Sequence, residues 1–146
     1  MTQQLATLAD FATYGLPPVA TASVSDAMVQ AELDAASDDV MAALSSQIDT
    51  SLGLDSWGLD ITRPVCIMAA WRLLSGPRGL GQGDTGAEAL RQAYAAIAGD
   101  PTVAGSMESC WLRRVATGAQ ATSAKPTRIA QGRPQAYIYS RPGAGW

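Results

Sequence analysis

Histidine is absent from the 146 residues, and cysteine occurs only as Cys66 and Cys110. The first absence removes the commonest general base and metal ligand. Two isolated cysteines without histidine cannot supply the four ligands of a structural zinc site. Each cysteine stands in an apolar stretch, Val65-Cys66-Ile67-Met68 and Cys110-Trp111-Leu112. Both are therefore expected as small core residues and not as reactive thiols. Charge is also scarce: Asp, Glu, Lys and Arg make up 16% of the chain, against about 25% in an ordinary soluble protein. A surface so poor in charge is a candidate for contact with other subunits. No run is long and apolar enough to span a bilayer. The N-terminus has no basic start followed by an apolar middle and a small-residue cleavage site. The expectation is a chain made in a cytoplasm, with reduced thiols and no membrane contact.

Catalytic signatures are missing as well. Gly76 to Asp84 carries glycines at 79, 81 and 83, but no Lys-Ser or Lys-Thr follows them as a P-loop requires. A dinucleotide fingerprint needs a preceding strand, and an apolar helical run precedes this segment. It reads as a linker. There is no Gly-x-Ser-x-Gly elbow. Asp34 and Asp38 share one helix face, but paired acids on a helix are ordinarily solvated surface. No catalytic residue, cofactor or metal is expected, and the chain is not expected to be an enzyme.

What is present is a polarised charge distribution. Nine acids precede the first base, Arg63. Residues 1–118 hold all 13 acids and six of the ten bases, a net charge of −7. Residues 119–146 hold Lys125, Arg128, Arg133 and Arg141 with no acid, a net charge of +4. An acidic body with a basic tail is the layout of an assembly part with an interaction arm. The acidic body would repel DNA, which needs basic patches for phosphate binding.

The body reads as helical. Thr7 is placed to cap a helix over Leu8 to Tyr14, with Gly15 at a left-handed end position and Pro17-Pro18 preventing continuation. Ser25 caps a longer helix to about Ser46, whose apolar positions Val29, Leu33, Ala36, Val40 and Leu44 form one stripe. Glu32, Asp34, Asp38 and Asp39 lie mainly off that stripe, either as a solvated face or as a wall facing something acidic or a partner's basic surface. Asp49 to Trp57 reads as loop, with Trp57 anchoring it to the core. The next helix, capped by Asp60 or Thr62 with Pro64 in its first turn, is apolar nearly all round and interrupted only by Arg72, which predicts a central position. Thr85 and Glu88 form a capping-box pair opening a helix with Leu90, Tyr94 and Ile97 on one face, ending at Gly99. A last helix runs from Val103 or Ser106 to Thr117, with Gly118 as its end residue.

The predicted architecture is all-α: a bundle of four to five helices over residues 1–118 and an extended arm over 119–146. The arm cannot fold alone. Tyr137-Ile138-Tyr139 has strand character and would pair as a short β-strand. With Arg128, Arg133, Arg141 and Trp146, these residues have the composition of an interface anchor.

The order and spacing of several segments resemble a known family. They are Ala6-Thr7-Leu8-Ala9-Asp10-Phe11 with Tyr14-Gly15-Leu16-Pro17, then Ala31-Glu32-Leu33-Asp34-Ala35-Ala36-Ser37, then Pro64 to Leu74, then Trp111-Leu112-Arg113-Arg114-Val115-Ala116-Thr117-Gly118. Together they resemble the Mu-type head–tail adaptors (connector or head-completion proteins) of tailed bacteriophages, over residues 5–118. The family's Arg-Tyr pair with a following Leu-Pro is replaced by Ser46-Gln47-Ile48-Asp49-Thr50, and the Asp100 to Ser106 segment is longer than in the family. The resemblance implies a structural protein of the virion neck with no catalytic residues. Its copies would form a dodecameric ring beneath the portal, extend the DNA channel and offer a docking surface to a stopper or tail-terminator protein. DNA would pass through the lumen without specific binding. Arg128, Arg133, Tyr137, Ile138, Tyr139, Arg141 and Trp146 would then contact the portal or a neighbouring subunit, and Glu32, Asp34, Asp38 and Asp39 would line the channel. The other reading is a helical protein-binding or regulatory module with a basic interaction tail, which salt-sensitive DNA binding by the isolated chain would favour.

Overall fold

A reciprocal capping box opens the first helix. Asp10 N–H donates to the Thr7 hydroxyl at 3.1 Å, and Thr7 N–H donates to the Asp10 carboxylate at 2.9 Å, satisfying two donors that a helix start otherwise leaves free. This is the start of α1, Leu8–Tyr14, in a computed structural model that describes residues 4–52, 54–75 and 85–126. Gly15 ends the helix by donating to the Phe11 carbonyl at 2.8 Å. Its φ is −100° and not left-handed. The glycine is needed for space: a Cβ there would lie 2.8 Å from the Phe11 ring and 2.9 Å from its carbonyl oxygen. Pro18–Thr21 then forms a single 3-10 turn.

Ser25 caps α2, Asp26–Leu44, by accepting from Met28 N–H at 3.2 Å. The expected stripe is the buried one: Val29, Leu33, Ala36, Val40 and Leu44 all lie in the core, joined by Ser37 and Ala43. The stretch expected as plain loop holds a 3-10 turn at Thr50–Leu52 and a short strand β1, Leu54–Ser56. Trp57 packs on the core as expected.

The central helix α3, Leu59–Ser75, begins earlier than the capping signals suggest. The Gly58 carbonyl accepts from Ile61 and Thr62 N–H at 3.0 and 3.1 Å, so Gly58 occupies the cap position, and Asp60 and Thr62 fall inside the helix. Pro64 accordingly sits one turn further in than expected, where it has no N–H to give to the carbonyl of Asp60. From Ile61 to Leu73 the helix buries Val65, Cys66, Met68, Ala69 and Ala70 and packs on α1, α2 and the next helix. That is the central placement its composition predicted.

Helix α4, Thr85–Ala98, lays Ala87, Leu90, Tyr94, Ala95 and Ile97 toward the core. The Glu88 carboxylate is taken by Arg91 and Gln92. Gly99 ends the helix at φ +87°, donating to the Ala95 carbonyl at 2.9 Å, the left-handed conformation that favours glycine. The single last helix expected from the sequence is two: α5, Ser106–Ser109, and α6, Trp111–Ala116. Cys110 between them is extended, at φ −66° and ψ 158°. The described residues thus hold six α-helices, one more than the upper expectation, because of this break. Gly118 follows α6 at φ +83°.

Beyond Gly118 the chain turns back along the bundle. Lys125–Pro126 forms β2, antiparallel to β1, with Leu54 opposite Pro126 and Ser56 opposite Lys125. The strand expected at Tyr137 to Tyr139 and the linker Gly76 to Asp84 lie outside the described residues.

Candidate functional site

The four acids of α2 do not share one face. At about 100° per residue, Glu32 and Asp39 fall on one flank of the buried stripe, and Asp34 and Asp38 fall on the other. Asp38 is exposed, and the other three are half-buried. Gln30 donates to the Asp34 carboxylate at 2.9 Å. Asp39 is bound directly to the Arg72 guanidinium of α3. Burial opposes the charge on Arg72, but the hydrogen bond and the charge of Asp39 outweigh it, and contact with Tyr94 adds to them, so the Arg72 pKa is raised. Arg72, the one charged residue in the apolar run Val65 to Leu74 beside an acid-rich helix, was the sequence signal for this pair. Its partner stands 33 positions away, so the pairing was not legible locally.

The named arm residues Arg128, Arg133, Tyr137, Ile138, Tyr139, Arg141 and Trp146 lie outside the described residues. Cys66 and Cys110 are both buried and unpaired. Burial, with a smaller contribution from Asp10, pushes the Cys66 thiol up to about 12, so it carries almost no thiolate at neutral pH. Among the described residues no three His, Cys, Asp or Glu side chains converge as metal ligands would. None of the helices there is long and apolar enough to cross a membrane.

No known protein family, no curated protein and no solved structure matches this chain.

Two surface features remain. A groove of about 470 Å³ runs between the end of α1, α3 and α4, lined by Tyr14, Leu16, Pro17, Ile67, Leu74 and Leu90 among other uncharged residues. Arg63 stands at its edge with its guanidinium 5.5 Å from the Tyr14 ring centre, a cation–π distance. Val19 projects nearby, 83% exposed.

The second feature is the root of the C-terminal segment, which sequence reasoning missed. Ser123 N–H donates to the Asp60 carboxylate at 2.8 Å, and the Ser123 hydroxyl donates to its other oxygen at 2.5 Å. The same hydroxyl accepts from Gly58 N–H at 2.5 Å. Asp60 was expected as a helix cap. It instead sits in the first turn of α3, where the helix dipole favours a carboxylate, and uses both oxygens to hold a segment 63 positions away.

Proposed function

We propose that this chain is a head-to-tail adaptor of a tailed bacteriophage: a structural ring subunit beneath the portal that extends the DNA channel and receives a stopper or tail-terminator protein. One observation carries the reading. The four segments whose order resembles the adaptor family are the segments that build the core. Phe11 from the first, Leu33 and Ala36 from the second, Val65, Cys66, Met68 and Leu73 from the third, and Trp111 and Val115 from the fourth are all buried in one cluster. The motifs therefore belong to one packed body, as a shared fold requires, and are not scattered over loops.

The charge layout is compatible with the role. A head-to-tail ring needs two different faces on each subunit, and an acidic body suits a channel wall that must not hold DNA. Within this proposal Asp34 and Asp38 line the lumen, because they share one flank and neither is paired with a basic side chain among the described residues. Glu32 and Asp39 then face a neighbour, with Arg72 neutralising Asp39. The arm beyond Pro126, with its three aromatic and three basic residues, binds the portal. Ordering it costs conformational entropy, offset by burying Tyr137, Ile138, Tyr139 and Trp146.

The test is reconstitution with the portal protein of the same phage. Electron cryomicroscopy should show a coaxial ring of this chain under the portal. Removal of residues 127–146 should leave a folded body that no longer binds. Absence of the chain from purified virions, or portal binding undiminished by the truncation, would sink the proposal. Salt-sensitive DNA binding by the free chain in place of portal binding would favour a regulatory module.

A further inference from the structure

We propose that Asp60, Gly58 and Ser123 form a clasp that makes residues 119–126 a strap, opening and closing as one unit on a bundle that stays folded, and so setting where the chain beyond Pro126 leaves the body.

Three ties hold this segment. At its start Gln120 N–H donates to the Arg114 carbonyl at 3.0 Å. In the middle is the clasp, with three hydrogen bonds converging on Ser123. At its end β2 pairs with β1. Between the ties the strap passes over a hollow of about 260 Å³ lined by Leu44, Ile48, Val115, Gly118 and Ala124. Among the described residues, Ala124 is the one hydrophobic side chain of the strap that packs on the core. The strap is therefore held mainly by polar contacts at the surface, whereas the bundle is held by buried apolar residues. Segments with few buried apolar contacts open at lower free energy than the core they rest on.

Gly58 is built for the clasp. A Cβ at that position would lie 3.1 Å from the Asp60 carboxylate and 3.2 Å from the Ser123 hydroxyl, wedged between the two partners. The backbone there is not left-handed, so a side chain meets only the clasp as an obstacle. Asp60 is the positioning residue. Its two oxygens accept the two donors of one serine, and an uncharged side chain of similar size accepts only one of them strongly. When the clasp opens, the β1 edge is freed and the exit point of the arm moves back toward α6. None of this depends on which partner the arm meets.

The experiment is hydrogen exchange followed by mass spectrometry on the full chain and on Asp60→Ala, Gly58→Ala and Ser123→Ala. In the wild type, peptides covering residues 119–126 should be protected, though less than those covering residues 62–73 of α3. Asp60→Ala and Gly58→Ala should each speed exchange of the strap about tenfold or more and leave residues 62–73 as slow as before. Ser123→Ala keeps the backbone N–H bond to Asp60 and should give a smaller increase. Asp60→Ala combined with Ser123→Ala should speed exchange by less than the two single effects added, since both remove the bond between the Ser123 hydroxyl and Asp60. Unchanged strap protection in all three single variants would overturn the proposal. So would loss of protection in strap and α3 together, which would mean the segment is part of the bundle's own cooperative unit. Ser123→Ala removes one hydroxyl at a half-buried site, so it keeps the test decisive if either other variant fails to fold.

Discussion

The α2–α3 seam and the α4–α6 end of the molecule are held together by different forces. Across the seam, Leu33, Val40 and Leu44 meet Val65, Met68 and Leu73 in one cluster of buried side chains. The two helices are 19 and 17 residues long, enough turns for their stripes to pack continuously. At the other end α5 has four residues and α6 six. Helices that short are unstable alone; Trp111 and Val115 anchor α6 in the core, and polar ties fix the rest. Arg91 reaches Glu88, Asp100 and Thr102. The Arg114 side chain binds the Ser109 carbonyl across the Cys110 break. Ser46 and Gln47 both donate to the Ala116 carbonyl, at 2.8 and 2.9 Å. The lesson is that stability and adaptability are separated in space: the seam sets whether the chain folds, and the polar end sets how its last third is arranged.

The largest effect should come from emptying the seam. Leu33 and Met68 are fully buried, and truncating either to Ala should cost about 2–5 kcal/mol through lost burial and a residual cavity. Urea unfolding followed by circular dichroism would measure it. A loss below about 1 kcal/mol for both would mean the seam is not the dominant store of stability.

Two serines sharpen the contrast. Ser37 on α2 is fully buried and accepts from Leu5 N–H at 3.3 Å, while Thr62 on α3 donates to the Leu5 carbonyl at 3.3 Å. Residue 5, itself fully buried, is thus fastened to both seam helices. Ser106 is also buried, and its hydroxyl accepts from Asp100 N–H at 2.9 Å. Either serine replaced by Ala leaves a backbone N–H without its partner, a cost of about 1–3 kcal/mol. Ser37→Ala should lower the global unfolding midpoint. Ser106→Ala should chiefly raise hydrogen exchange over residues 99–109. Identical signatures for the two would erase the distinction between the regions.

Much of the seam was legible in the sequence, because its forces are local and periodic. The stripe from Val29 to Leu44 and the cap at Ser25 each follow from residues within one or two turns, as does the cap of α1 at Thr7. The polar end was less legible. The apolar period runs unbroken through Cys110, and no glycine or proline marks the break there. The β1–β2 pair is three residues against two, joined only in space. The Asp60–Ser123 contact spans 63 positions, and a Ser in an Ala- and Thr-rich stretch carries no local sign of it. The division of the α2 acids into two flanks was readable from spacing, since positions 34 and 38 are one turn apart and 32 and 39 two turns. Which flank meets a cation depended on α3, and so on the fold.

A smaller effect is expected at the polar link between the seam helices themselves. The Arg72 and Asp39 side chains retain 26% and 46% of their exposure, so solvent screens the pair, and Arg72→Met should cost about 0.5 kcal/mol or less. Denaturation at low and high salt would check it: the wild-type advantage should shrink as salt rises. A loss of several kcal/mol would place a polar contact among the main supports of the seam and blur the comparison.

The smallest effect is a pH response confined to the polar end. Glu88 is held below the usual carboxylate range by the Gln92 amide and then the Arg91 guanidinium. Asp100 is held below it by the Thr102 N–H and hydroxyl, with Arg91 adding to them. A carboxylate with a lower pKa in the folded chain than in the unfolded one stabilises the fold at pH above its ordinary value of about 4, and that contribution is lost as pH falls through the folded value. Protection factors, which divide out the intrinsic pH dependence of exchange, should therefore fall over residues 88–106 between about pH 5 and about pH 3. Those of the buried α2 and α3 positions should hold. Asp100→Asn keeps an oxygen for the Thr102 N–H but carries no charge, so it should flatten part of this response without moving the seam. A fall of equal size in both regions would show that acid acts on the whole bundle, and the polar end would then have no titrating latch of its own.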